Sequence, residues 1–231
     1  MASPSVARTR RPSAKVESDD AFAMRAAEVA EWAKRNIRRI VTVAGALAVL
    51  MLLAVGYLLM QRSNASRASV AYLELSASAL QGPQRTTQLE AFVAQYGGTS
   101  EGKEARLELA GLYLDANQPQ RALPHARAVA GSGGKLKYQG QLMLGSVLAR
   151  TGDRAGAIQA YRDAAATGGL DFQRAEALNQ AAILQEGASN WQGAAELYRE
   201  MLKDTKEGTM DRSIIEMRLA ETEAKIATAR R

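Results

Sequence analysis

The sequence of 231 residues contains no cysteine and a single histidine, and this scarcity excludes several kinds of chemistry. Without cysteine there is no disulfide framework, no thiolate nucleophile and no cysteine-ligated zinc site. His125 has no carboxylate cluster beside it, so neither a metal site nor a nucleophile–base pair is indicated. Residues 131–134, Gly-Ser-Gly-Gly, lack the spacing and the lysine of a phosphate-binding loop. We expect no enzyme activity, no cofactor, no metal and no small-molecule substrate.

Aromatic residues are also scarce, at 5% of the chain, whereas alanine is abundant. Alanine is the strongest helix former, and sheets prefer β-branched and aromatic side chains. Small side chains also let helices pack closely against each other. The composition therefore predicts an all-α protein.

The body of the chain has little excess of either charge. The net charge is +6, yet residues 1–39 carry nine Lys/Arg against five Asp/Glu, and the remainder carries twenty-one against nineteen. A nucleic-acid-binding domain more often displays its basic residues as a stripe on the folded surface. We therefore expect no nucleic-acid partner.

Residues 40–60 form a run of twenty-one residues without a charged side chain. As a helix rising about 1.5 Å per residue, this run is about 31 Å long, which matches a hydrocarbon core of about 30 Å. A buried core helix of this length normally has a polar edge, and this run has none. We expect residues 40–60 to be a transmembrane anchor in contact with membrane lipid.

The basic residues around this run predict its orientation. Over a similar distance on the two sides, only Arg62 and Arg67 follow it, whereas four basic residues stand just before it: Lys34, Arg35, Arg38 and Arg39. The positive-inside rule then predicts a cytoplasmic N-terminus and an exported C-terminal domain. Cleavage near Ser63 and Ala65 is the alternative, but the apolar run exceeds the usual 7–15 residues of a signal peptide.

The segment before the anchor is divided into two parts by composition. Residues 1–17, rich in Ser, Pro and Arg, are expected to be a disordered cytoplasmic tail. Residues 18–39 are expected to form a juxtamembrane amphipathic helix with Ser18 as its N-cap. Trp32 and the basic residues that follow it favour a helix on the cytoplasmic leaflet, while a polar extension of the anchor is nearly as well supported.

Beyond the anchor, three segments align by their small residues: 107–130, 142–165 and 178–202. Each contains a pair of small or apolar residues, an apolar residue about one helical turn later, a turn, an alanine and then an apolar or aromatic residue. The third segment has one extra residue in its turn. Repetition of this kind is typical of stacked helix pairs, in which each pair covers the apolar face of the next.

The aligned alanines Ala122, Ala157 and Ala194 are 35 and 37 residues apart. This spacing resembles the tetratricopeptide repeat, whose period is about 34 residues. Two antiparallel helices approach closely only where small residues meet, so Gly145 is expected to face Ala157. The second segment matches the repeat best, and the terminal proline of the family is missing throughout. The alternative is accidental periodicity in an alanine-rich helical bundle.

We therefore expect a single transmembrane helix followed by an α-solenoid of helix pairs over residues 61–231. Gly82-Pro83 is expected to break the chain before a helix at 84–96. The expected subdivision is an imperfect pair at 66–98, repeats at about 103–134, 138–170 and 174–206, and a capping helix at 213–227.

The first helices of successive repeats line the concave face of such an array. The repeat register predicts a protein-binding groove on this face, made of Leu107, Gly111, Leu114, Leu142, Ser146, Ala149, Arg150, Leu178, Ala182 and Gln185. Most of these side chains are small or apolar, which suits an extended or helical apolar segment. The alternative is that several of the leucines belong to the core.

Residues 89–123 read LEAFVAQYGGTSEGKEARLELAGLYLDANQPQRAL, a helix ending in a Tyr-Gly turn followed by a helix with Leu-Tyr and a Gln-x-x-x-Ala turn. Together with the anchor, they resemble the YfgM-like family of ancillary translocon subunits, from about residue 37 onward. The resemblance implies a single-pass protein of the bacterial inner membrane whose repeat domain lies in the periplasm. It would stand beside the protein translocation channel and contact exported or unfolded polypeptides with a chaperone-like role. The alternatives are a structural scaffold for envelope or cell-division complexes and a soluble repeat protein released by cleavage.

Overall fold

The computed structural model describes residues 14–206, 208 and 210–229, apart from the side chains of 14–23 and 26. All regular secondary structure in these residues is helical, which confirms the predicted all-α fold. The chain divides into two compact units, Met1–Gln61 and Arg62–Arg231. The described helices are α1 Ala14–Arg35, α2 Ile37–Ala77, α3 Gly82–Tyr96, α4 Ser100–Asp115, α5 Pro119–Ala130, α6 Lys137–Thr151, α7 Arg154–Thr167, α8 Asp171–Gly187, α9 Trp191–Asp204 and α10 Met210–Ala229.

Helix α1 begins at Ala14, earlier than the sequence predicted. The predicted N-cap at Ser18 is wrong, since Ser18 lies inside the helix, and so is the assignment of residues 14–17 to a disordered tail. Ala14, Lys15 and Glu17 are all good helix formers, which accounts for the earlier start. The rest of the predicted tail, residues 1–13, lies outside the described residues.

Helix α2 is 41 residues long and contains the predicted anchor. Its most apolar 18-residue window has a mean hydropathy of 2.5, and none of that window is buried against the protein. Leu52, for example, is 73% exposed. This helix is long and apolar enough to span a membrane, and its exposed leucines would contact hydrocarbon instead of water.

In the unit Arg62–Arg231, consecutive helices from α3 to α10 pack against each other, and α4 also packs against α6. Nearest-neighbour packing of this kind is typical of a repeat array. The pairs α4–α5, α6–α7 and α8–α9 overlap the three predicted repeats, and the first helix of each pair begins one to three residues before the predicted start. Helix α10 packs against α9, with Ile215 and Thr222 buried.

The turns within the second and third pairs are built by different residues with the same function. Gly152 ends α6 in the left-handed conformation, with φ 88°. Asp153 then caps α7, because its Oδ1 accepts a hydrogen bond from the Gly156 amide at 2.9 Å. Asn190 caps α9 in the same way, accepting from the Gly193 amide at 3.1 Å. Each cap satisfies an amide that the helix itself leaves without a partner.

The helices of the second pair approach each other at Gly145, as predicted, but its neighbour is different. A Cβ at Gly145 would lie 2.5 Å from Cε1 of Tyr161, so the glycine faces the tyrosine ring more closely than Ala157. Ala157 is fully buried one turn earlier on α7. The tyrosine therefore fills the space that the missing glycine side chain leaves.

Large side chains connect α3 to the end of α2 and to α4, before the three pairs. The rings of Tyr72 and Phe92 lie 5.4 Å apart, and those of Phe92 and Tyr96 5.1 Å apart. Arg85 on α3 makes a two-pronged ion pair with Glu108 on α4, at 2.6 and 2.9 Å. Helix α3 begins at Gly82, where φ is 56°, two residues before its predicted start.

Candidate protein-binding surface

Two residues of the predicted groove are not on the surface. Leu178 is 1% exposed and Ala182 is 0% exposed, and both belong to the core cluster of the second and third pairs. Their assignment to the groove is wrong. The physical reason is that α8 packs against both α7 and α9, so these positions are covered by neighbouring helices.

The other predicted groove residues are only partly accessible. Arg150 is the one exposed member of the ten, and its guanidinium lies 3.4 Å from the carbonyl oxygen of Leu114. Gln185 accepts a hydrogen bond from Asn190 at 2.8 Å, so it stabilises the turn after α8. The remaining members are half-buried: Leu107, Gly111, Leu114, Leu142, Ser146 and Ala149. Leu114, Leu142 and Ala149 also pack against the core clusters.

A more open surface lies where α8, α9 and α10 meet. It contains a cavity of about 500 Å³, here called the C-terminal pocket, which is lined by Asp171, Phe172, Ala175, Glu176, Asn179, Met201, Asp204, Thr205, Lys206, Asp211, Ile214 and Ile215. Phe172 is 66% exposed and Ile214 50% exposed. Large apolar side chains this accessible commonly mark binding sites.

The sequence contains a signal for this pocket that the repeat register did not use. Leu170 and Phe172 flank the start of α8, and Met210, Ile214 and Met217 follow each other at intervals of four and three residues. This interval places the last three on one face of α10. The neighbouring Ile215 lies on the other face of α10, where it is 6% exposed and packs with Leu219 into the core of the last pair.

The rim of the C-terminal pocket is acidic. Four carboxylates and one lysine line it, although the whole chain has a net charge of +6. Asp204 is paired with Arg174 at 3.3 Å, and Glu176 accepts a hydrogen bond from the Tyr138 hydroxyl at 2.7 Å. Burial and this hydrogen bond raise the pKa of Tyr138 above its ordinary value. Asp171 and Asp211 take part in none of the ion pairs found among the described residues.

A second polar cluster joins α3, α4 and α5. The Tyr113 hydroxyl donates to Glu90, and Arg121 lies 2.7 Å from Glu90 and 4.3 Å above the tyrosine ring. Burial, together with the hydrogen bond to Glu90, raises the pKa of Tyr113 to about 12. His125 stacks on Tyr113 at 5.8 Å, and its Nδ1 is buried without a hydrogen-bond partner among the described residues. The cluster locks three helices together.

We predict that the pKa of His125 lies below its ordinary value of about 6.5. Burial is the largest cause that lowers this pKa and the positive charge of Arg106 is the next, whereas the negative charge of Glu90 raises it. The folded protein then binds the proton more weakly than the unfolded chain, so the free energy of unfolding falls as the pH drops below about 6.5. NMR titration reads this pKa directly because His125 is the single histidine. His125→Gln should remove that pH dependence, and a pKa above about 6.5 would contradict the prediction.

The residues that flank the predicted anchor are accessible. Trp32 is 61% exposed, and Arg35 forms an ion pair with Glu31 at 2.9 Å. The other basic residues of this flank, Lys34, Arg38 and Arg39, are exposed as well. Within the described residues there is no group of three His, Asp or Glu side chains that could hold a metal ion.

The helix pairs and their nearest-neighbour packing define a helical-repeat protein, and one helix among the described residues is long and apolar enough to span a membrane. Residues 30–221 match the family described as tetratricopeptide repeat-like domain, and the chain therefore belongs to that family. Repeats of this class are protein-interaction modules and are typically non-catalytic. No curated protein and no solved structure gives a significant match to the chain.

Proposed function

We propose that this protein is a membrane-anchored ancillary subunit of the protein translocation channel, with chaperone-like contact to exported or unfolded polypeptides. The observation that carries the proposal is the C-terminal pocket, an open apolar surface at the end of a repeat array that follows a helix long and apolar enough to span a membrane. A protein that meets many unrelated unfolded segments needs an accessible apolar surface. The resemblance of residues 89–123 to the translocon-subunit family supports the same function.

The composition of this surface suits varied clients. Methionine is unbranched and polarisable, so its side chain adapts to partners of different shape. Met210 is 80% exposed and Met217 is 62% exposed, and both lie on the face of α10 that carries Ile214. A rigid aromatic surface would select one shape, whereas these side chains accept several.

The proposed topology follows from the basic flank. Lys34, Arg35, Arg38 and Arg39 precede the anchor and favour a cytoplasmic N-terminus, which puts the repeat unit in the periplasm. Trp32 is accessible and suited to the membrane interface, where its ring sits at the level of the headgroups. The protein then binds lipid through residues 40–60 and protein partners through the repeat unit.

Photocrosslinking in intact cells tests the proposal. A photoreactive amino acid at Arg150, and another at Met217, should capture subunits of the translocation channel and a spread of exported chains. A probe at Arg162, exposed on the second helix of its pair, is the control. Repeated capture of one envelope protein would instead support a structural scaffold. N-terminal sequencing of the mature protein tests the released form, which would begin near Ser66.

A further inference from the structure

The C-terminal pocket combines an apolar lining with an acidic rim. Phe172, Ile214 and Met201 make its apolar lining, and Asp171, Glu176, Asp204 and Asp211 stand among them. Carboxylates exceed lysine in the lining by three, against a net positive charge for the chain. A partner that fits this surface has to offer both apolar and cationic groups.

We propose that the C-terminal pocket binds polypeptide segments in which Lys or Arg flanks an apolar residue. The apolar side chain enters between Phe172 and Ile214, and the flanking cation lies against the acidic rim. This proposal rests on the proposed function, because it specifies which segments of an exported chain the protein binds. Such a surface would bind apolar segments flanked by Asp or Glu only weakly, because like charges repel across an interface.

The cavity size and surroundings favour a chain segment over a small molecule. A volume of about 500 Å³ lies within the ~300–1,000 Å³ range of ligand cavities. However, the exposed apolar surface continues outside it, at Leu170, Met210 and Met217, which are 54%, 80% and 62% exposed. A segment of polypeptide covers both the cavity and this continuation, whereas a small molecule leaves the continuation in water.

The charge of the rim argues against two other occupants. An anionic lipid headgroup would meet Asp171 and Asp211, for which the described residues supply no ion pair. A second copy docked through the same surface by two-fold symmetry would bring two acidic rims together. Both arrangements are opposed by repulsion between like charges, and only a basic partner gains from the rim.

The experiment measures peptide binding to the full-length protein in nanodiscs of zwitterionic phosphatidylcholine. Three fluorescent peptides share one length: Leu-Phe-Leu flanked on each side by two Lys, the same core flanked by Glu, and Ser-Gly-Ser flanked by Lys. We expect the first peptide to bind at least ~10-fold more tightly than either of the others, with affinity falling as added salt shortens the Debye length. Empty nanodiscs correct for binding of the peptides to lipid.

Substitutions on the pocket separate its apolar and acidic parts. The double substitution Asp171→Asn with Asp211→Asn should lower the affinity for the Lys-flanked peptide by ~5-fold, since each exposed ion pair contributes little by itself. The double substitution Phe172→Ser with Ile214→Ser should lower the same affinity by ~10-fold or more because the apolar contact is lost. These side chains are exposed, so the fold should survive, and circular dichroism verifies that it does.

Matched control substitutions lie outside the C-terminal pocket. The control for charge is Asp163→Asn with Glu196→Gln, two exposed carboxylates on α7 and α9. The control for apolar surface is Ile183→Ser, whose side chain is 42% exposed on α8. We expect both controls to bind the Lys-flanked peptide as the unaltered protein does.

The outcomes distinguish this proposal from the proposed function. Equal affinity for Lys- and Glu-flanked peptides, or equal affinity of pocket and control variants, overturns the pocket proposal even if photocrosslinking still captures exported chains. A dimer that dissociates on Ile214→Ser also overturns it, because a second copy then occupies the pocket. Pocket-dependent peptide binding without capture of exported chains supports the pocket and overturns the translocon function.

Discussion

Replacing Leu178 by alanine is expected to lower the free energy of unfolding of the repeat unit by about 2–5 kcal/mol. Leu178 is 1% exposed and belongs to a core cluster that includes Tyr161 and Leu197. Alanine would leave a cavity that these neighbours fill only partly, so both the burial energy and the packing contacts are lost. Thermal denaturation of the full chain in detergent, followed by circular dichroism, measures the change.

The matched control for this substitution lies on the same helix. Ile183→Ala also shortens an aliphatic side chain of α8, but that side chain is 42% exposed, so a much smaller loss is expected. The pair of variants also tests the correction to the groove. If Leu178→Ala kept its stability and lost binding to exported chains, Leu178 would be a surface contact and the burial argument would be wrong.

Replacing Gly140 by alanine is expected to destabilise the repeat unit by about 1–3 kcal/mol or more, although alanine is the better helix former. A Cβ at Gly140 would lie 2.6 Å from the backbone nitrogen of Ala130 and 2.7 Å from the carbonyl carbon of Val129. Backbone atoms cannot rotate away as a side chain can. The helices α5 and α6 would have to separate, which breaks their packing along the interface.

The control for Gly140 is Gly111, which lies inside α4. A Cβ there meets no atom within 4 Å, so Gly111→Ala should stabilise the protein by about 0.5–1 kcal/mol through helix propensity alone. The two substitutions are chemically identical and are expected to have opposite signs. Comparison of their melting temperatures checks this, and a stabilised Gly140→Ala variant would show that the two helices are not packed as described.

The helices themselves could be predicted from the sequence because their signals are local. Helix ends are marked by Gly82-Pro83 at the start of α3 and by Gly152-Asp153 after α6. The aligned alanines mark the helix pairs. The apolar run at 40–60 needs no partner to be recognised, since length and composition alone suit it to a membrane. The start of α1 was missed because the capping preference of Ser18 is weaker than the helix propensity of the residues before it.

The binding surface could not be predicted in the same way. The repeat register assigned Leu178 and Arg150 to one groove, yet one is buried and the other exposed. Both residues lie on the first helix of their pair. Their exposure differs because the neighbouring helices cover Leu178 and leave Arg150 open. Likewise, Ile214 and Ile215 are adjacent in sequence, but Ile214 is 50% exposed, whereas Ile215 is 6% exposed and belongs to a core cluster.

The sequence by itself determined that this protein is all helical, belongs to a helical-repeat class and carries a helix able to span a membrane. These properties follow from residue type and spacing along the chain, which act over one or two helical turns. Only the tertiary structure decided which apolar side chains stay exposed and where the acidic rim forms. Asp171, Asp204 and Asp211 lie on three different helices, and the acidic rim forms because helix packing brings these three carboxylates together.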